Sequence, residues 1–210
     1  MTRAATADAI DSTLETTATP APVDSVKSDM VYGTSGSIGM TGITGPNVIS
    51  FVPEASGAFT APSAFSLGTF VVGYLPPGQT TTYDHTPFSI TYAALSVNNE
   101  EPNPNQSPIT VNGVLNGTVT GPTQSDVVAT FSPVANPTFL TGDYINKLSV
   151  LDPQVSLVPS TTNGGRTTAQ AHIQVSAAPI PEPTTIALFA TTIVGLGLRR
   201  RFVRRVHAAS

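Results

Sequence analysis

The chain has 210 residues, enough for one domain with tails, and 10% of them are charged, against roughly a quarter in ordinary soluble domains. It contains no cysteine, which excludes disulfides, thiolate metal sites and a thiol nucleophile. The formal charge of −4 is uneven: residues 1–183 hold four cations and all thirteen acids, a formal −9, and the other five cations are Arg199, Arg200, Arg201, Arg204 and Arg205. An acidic body with so few cations excludes a nucleic-acid footprint.

In chain order, residues 1–30 are polar and Thr/Ala-rich, with Pro20 and Pro22, and are expected to form a flexible lead-in. They contain no run of about 7–15 apolar residues, so no secretory signal is visible. For an exported chain the expectation is then that Met1 lies inside a longer reading frame. Residues 1–9 would then close a signal peptide, Ala5-Thr6-Ala7 or Ala7-Asp8-Ala9 fitting a small-x-small cleavage site. Gly33, Gly36, Gly39, Gly42 and Gly45 follow at every third position. A collagen-like helix needs that period, but five triplets with one proline are too few to propagate it, and the expectation is a turn-rich strand opening the domain.

Strand signals then recur. Asn47 to Val52 and Gly68 to Tyr74 are short apolar runs bounded by Gly or Pro. Pro87 to Val97 puts Phe88, Ile90 and Tyr92 on one face. Ile109, Val111, Gly113, Leu115, Gly117 and Val119 alternate with polar neighbours over a dozen residues, the clearest period of two in the chain. Two Asn-Gly pairs inside that run could mark a hairpin, but the unbroken alternation favours one long strand. Val127, Ala129 and Phe131 continue after a turn at Gly121-Pro122. Tyr144 to Leu151, Gln154 to Val158, and Ala169, Ala171, Ile173 and Val175 complete the set. Many short strands with turns between them, and no βαβ alternation, predict an all-β fold. The expected body is an antiparallel, Greek-key-like β-sandwich ectodomain over 31–176.

Residues 177–210 differ. Ala177 to Pro183 is a stiff linker with alternate prolines. Thr184 to Leu198 carries no charge and is apolar all round, and its fifteen residues would span about 22 Å as a helix. Five arginines stand directly behind it, so one C-terminal transmembrane helix over 184–198 is expected ahead of a core or surface helix. Arginine excess marks the cytoplasmic side, which places residues 1–183 outside.

Pro181-Glu182-Pro183, an uncharged helix and a terminal arginine cluster together resemble the PEP-CTERM sorting domain. The resemblance covers roughly the last thirty residues. It implies a bacterium of Gram-negative type that makes extracellular polysaccharide, and a partner exosortase. That membrane-embedded cysteine transpeptidase would recognise the tail and cut near Pro181–Pro183. The protein would sit transiently in the inner membrane and end at the cell surface or outside the cell, with extracellular polysaccharide as a further partner. The segment Ser66 to Phe70 with Phe88-Ser89-Ile90 is similar to sandwich domains that precede such tails, and carries no activity across.

Residues that could do chemistry are sparse. The body has two histidines: His172 on the polar phase of its strand, expected in water, and His85 in a polar turn, where Asp84 and His85 should point apart. No G-x-S-x-G elbow is present. Asn98, Asn99, Glu100, Glu101, Asn103 and Asn105 supply hard oxygens that suit calcium, but without the aspartate spacing of a calcium loop. Tyr74 and Tyr83 flank Pro76-Pro77-Gly78 as the one conceivable sugar platform, and packing tyrosines are the simpler reading. No catalytic, cofactor-binding or metal-ligating residue is therefore assigned and no cofactor is expected. The sequence reads as a non-enzymatic surface or matrix protein, ahead of a carbohydrate- or calcium-binding module and, further behind, a secreted hydrolase.

Overall fold

The computed structural model of the protein describes residues 27–99, 101 and 108–178. Thirteen strands form among them: β1 (Ser28–Ile38), β2 (Ile43–Thr44), β3 (Ile49–Pro53), β4 (Gly57–Ala61), β5 (Ser63–Val72), β6 (Thr80–Val97) and β7 (Ile109–Thr120). After them come β8 (Gln124–Ser125), β9 (Val128–Phe131), β10 (Thr138–Thr141), β11 (Tyr144–Val150), β12 (Gln154–Ser156) and β13 (Arg166–Ala177). They build two antiparallel sheets. One has eight strands in the order β12-β9-β7-β6-β1-β4, with β2 beside β6 and β8 beside β7; the other has five, in the order β10-β11-β13-β5-β3.

Alternation explains which side each strand buries. On β7, Ile109, Val111, Leu115 and Val119 are buried while Thr110, Asn112 and Thr120 face water; on β6, Tyr83, Phe88, Ile90 and Tyr92 are buried. From the other sheet come Phe65, Leu67 and Phe70 of β5, Leu148 of β11, and Ala169, Ala171 and Ile173 of β13. These side chains join in one core. Aromatic rings lock the sheets together: Phe70 meets Phe88 edge-on at 5.2 Å, and Tyr32 meets Phe65 at 4.8 Å. Such pairs add about 0.5–1.5 kcal/mol beyond area burial.

The long strand over 109–120 runs unbroken through both Asn-Gly pairs, as its period requires. Other strands extend past their sequence signals. β5 begins at Ser63, so Phe65 and Leu67 enter the core ahead of Gly68. β6 begins at Thr80 and passes a bulge between Tyr83 and Thr86 before reaching Pro87. Proline lacks the N–H a central strand donates; Pro87 pairs with Val114 past the bulge, and its carbonyl faces Gly39, so the missing N–H lies on the side where β1 has already ended at Ile38. β1 begins at Ser28, burying Ser28 and Met30. The short β4 and β10 had no sequence signal.

The three-residue glycine period has a steric cause. After β1 the chain runs close along β6, with Gly39 N–H donating to the Pro87 carbonyl and Asp84 N–H to that of Gly42. A Cβ on Gly36 would enter the Phe51 ring, and one on Gly42 would overlap the Asp84 carbonyl at φ +75. These glycines belong to a strand and turn, as expected.

Ser28 pairs with Ala61, and Ser63, two residues on, pairs with Ile173 near the end of β13. The chain therefore enters and leaves the body at the same end.

Candidate functional site

Polar groups that could act chemically are mostly committed to the fold. The β6 bulge turns His85 into a left-handed conformation, φ 50, so the expectation that Asp84 and His85 point apart does not hold. His85 Nδ1 lies 2.5 Å from Asp84 Oδ1, both side chains more than three-quarters exposed. The His85 N–H donates to Asn116 Oδ1 at 2.8 Å, tying the bulge to β7. No serine or threonine hydroxyl is hydrogen-bonded to either imidazole among the described residues; the Ser149 hydroxyl reaches the His172 backbone carbonyl at 3.5 Å, not its ring. His172 keeps the outer phase of β13 but is partly buried, flanked by Ser149 and Ala64 on the neighbouring strands.

The tyrosine pair does not form a platform. Tyr74 is 67% exposed, whereas Tyr83 is 1% exposed. The Tyr83 hydroxyl accepts from Val48 and Ile49 N–H at 3.0 and 3.1 Å and donates to Asn47 Oδ1 at 3.0 Å. Burial raises its pKa. Tyr92 is equally buried, its hydroxyl has no partner, and desolvation with the nearby Tyr32 phenol pushes its pKa far up. Of the oxygen-rich loop, Asn98, Asn99 and Glu101 are described; Glu100, Asn103 and Asn105 lie outside the described residues. Asn98 Oδ1 accepts from Asp29 N–H at 2.9 Å, so that oxygen closes a strand end. Among the described residues no group of three or more His, Cys, Asp or Glu could hold a metal ion.

Besides a concavity of about 330 Å³ lined by residues including Phe131, Ser132, Pro137, Lys147 and Ser149, two others lie among the described residues. A groove of about 670 Å³ lies between β7 and the β10–β11 hairpin, lined by residues including Ile109, Thr110, Asn112, Thr138, Phe139 and Ile145, none charged. A second, of about 430 Å³, lies at the β7–β8 turn and is lined by Thr118, Thr120, Thr123, Gln124, Ser125, Asp126 and Pro159. The Asp126 carboxylate accepts the Thr118 N–H there. Sequence reading missed this pocket because its hydroxyls come from an ordinary alternating strand and a two-residue strand folded back on it.

Beyond the body, residues 179–201 match the PEP-CTERM protein-sorting motif. The chain carries a PEP-CTERM sorting signal. The match takes in Pro181, Glu182 and Pro183, the uncharged stretch 184–198, and Arg199, Arg200 and Arg201, while Arg204 and Arg205 fall after it. All of these positions lie outside the described residues. No curated protein and no solved structure matches the chain. The PEP-CTERM motif thus follows within two residues of β13, at the end of the body where the chain also enters.

Proposed function

We propose that this chain is an exported, exosortase-sorted, non-enzymatic protein of the cell surface or extracellular matrix. Its body would be a Greek-key-like sandwich held by one transmembrane helix over 184–198. The PEP-CTERM motif at 179–201 carries the reading. The all-β body supports it, and polar groups such as Tyr83, Asn98 and Asn116 are hydrogen-bonded within the fold. The route follows from charge. Five arginines cross a bilayer at high cost, so they stop transfer and stay cytoplasmic. Pro181 and Pro183 keep the chain extended just outside the helix, where an exosortase can grip the backbone, and Glu182 fixes the boundary by resisting entry into lipid. The protein would pass through the inner membrane as an anchored precursor and finish at the surface or beyond it.

A fusion of residues 177–210 to an exported reporter tests this in hosts with and without an exosortase. With the enzyme, the reporter is expected to lose roughly the helix and tail and leave the inner membrane. Glu182→Ala, or glutamine at the five arginines, is expected to leave it uncut or misrouted. An uncut fusion that leaves the membrane equally well without the enzyme would reduce the motif to a plain anchor.

A further inference from the structure

The outer face of the eight-stranded sheet is unusual in what it lacks. Cross-strand register sets Ser35, Thr91 and Thr110 in one row and Ser37, Ser89 and Asn112 in the next. Past the bulge, Thr82 stands opposite Thr118, and Thr80 opposite Thr120, which in turn pairs with Gln124 of β8. No Lys, Arg, Phe, Tyr or Glu lies on this side of β6, β7 or β9. The three cations of the described residues are elsewhere: Lys27 before β1, Lys147 on β11 and Arg166 on β13. The threonine rows run into the 430 Å³ pocket at the β7–β8 turn, where the Ser125 hydroxyl is buried without a hydrogen-bond partner.

We propose that this pocket, with the hydroxyl rows leading from it, binds an uncharged polysaccharide. One sugar unit would sit against Thr118, Thr120, Ser125 and Asp126, and the chain would continue over the Thr80 and Thr82 rows. Charge selects this ligand class. An anionic polymer would meet Asp126 with no cation to offset it, and an apolar ligand would strand a wall of hydroxyls. A protein partner would find none of the aromatic or arginine anchors on which interfaces depend. A sugar hydroxyl can both donate and accept, matching serine, threonine, glutamine and a carboxylate oxygen at once. The volume lies within the range of small-ligand pockets, about 300–1,000 Å³. Threonine and serine on a paired sheet also lose little side-chain entropy on contact.

Each such hydrogen bond replaces one to water and nets only about 0.5–1.5 kcal/mol. Without aromatic stacking, a single sugar should bind weakly, and a polymer that returns many units to the same surface should bind measurably. The inference rests on reading the body as a non-catalytic surface module, and it is independent of how the tail is processed.

The test is affinity electrophoresis of the purified full-length chain in detergent through gels holding dextran, mannan or anionic alginate. Dextran or mannan is expected to retard the protein and alginate not. Thr120→Lys is expected to weaken retardation at least tenfold, whereas Gln170→Lys, an equal charge change on the other sheet, leaves it unchanged. Retardation by alginate alone, retardation by none of the three, or equal losses in the two variants would overturn the proposal. Exosortase cleavage of the same protein is read separately, so a failure to bind sugar and a failure to be sorted are told apart.

Discussion

Two tyrosines buried to the same degree have opposite energetic roles. The Tyr83 hydroxyl accepts the Val48 N–H, shares the Ile49 N–H with Asn47 Oδ1 and donates to that same oxygen, so Tyr83→Phe strands the Val48 N–H and is expected to cost about 1–3 kcal/mol. The Tyr92 hydroxyl has no partner, so Tyr92→Phe removes a desolvated polar group and is expected to be neutral or stabilising. Both phenols have folded-state pKa values raised above the ordinary 10.0. The folded state therefore holds their protons more tightly than the unfolded chain. Stability from this source is full below pH 10 and falls as pH rises from there toward the raised folded values, by up to about 1.4 kcal/mol per pH unit for each group. Urea denaturation between pH 8 and 11 should show that fall, and Tyr92→Phe should flatten it. On β7, Leu115 is fully buried while Asn116 sits on the other phase, holding the His85 bulge. Leu115→Asp buries an unpaired carboxylate and should unfold the body, whereas Asn116→Ala should cost about 1 kcal/mol. Equal effects at the two sites would contradict the strand phase.

At the scale of elements, the ends of β1 and the bulge of β6 matter most. β1 joins the eight-stranded sheet through β6 and β4, and its first three residues bring Ser28 and Met30 into buried positions. A fragment of residues 27–178 should therefore give a β-dominated circular dichroism spectrum and a higher Tm than one of residues 31–178. The shorter fragment loses Met30, whose removal opens a core cavity of the kind that costs about 2–5 kcal/mol. Equal Tm values would mean that the start of β1 adds nothing to the fold. The β6 bulge, within one strand from Thr80 to Val97, keeps the rows on either side of it on one outer face.

Across the whole molecule, charge is partitioned by position. The acidic body carries few cations, the last residues carry five, and the PEP-CTERM motif joins the two. Entry and exit at one end of the body mean that, on an anchored precursor, the other end and both outer faces stay clear of the attachment point. The hydroxyl face needs that freedom if it is to meet a polymer.

The sequence by itself determined the all-β class, the phase of the long strand and the sorting motif. Each rests on local order along the chain: a period of two through Ile109 to Val119, or a fixed succession of proline, apolar run and arginine that needs no partner to be read. Only the tertiary structure decided which strands are neighbours and what their side chains meet. Tyr83 packs in the core, as the simpler reading had it, with β2 paired beside it and Ile49 of β3 on its hydroxyl, while Asp84 met His85 because a bulge reversed the alternation. β4 and β10 were invisible because short segments such as Gly57–Ala61 become strands through the partner they pair with, not through their own composition. The hydroxyl pocket is of the same kind. Thr118, Thr120 and Ser125 are unremarkable in sequence and become one surface only when β8 folds back against β7.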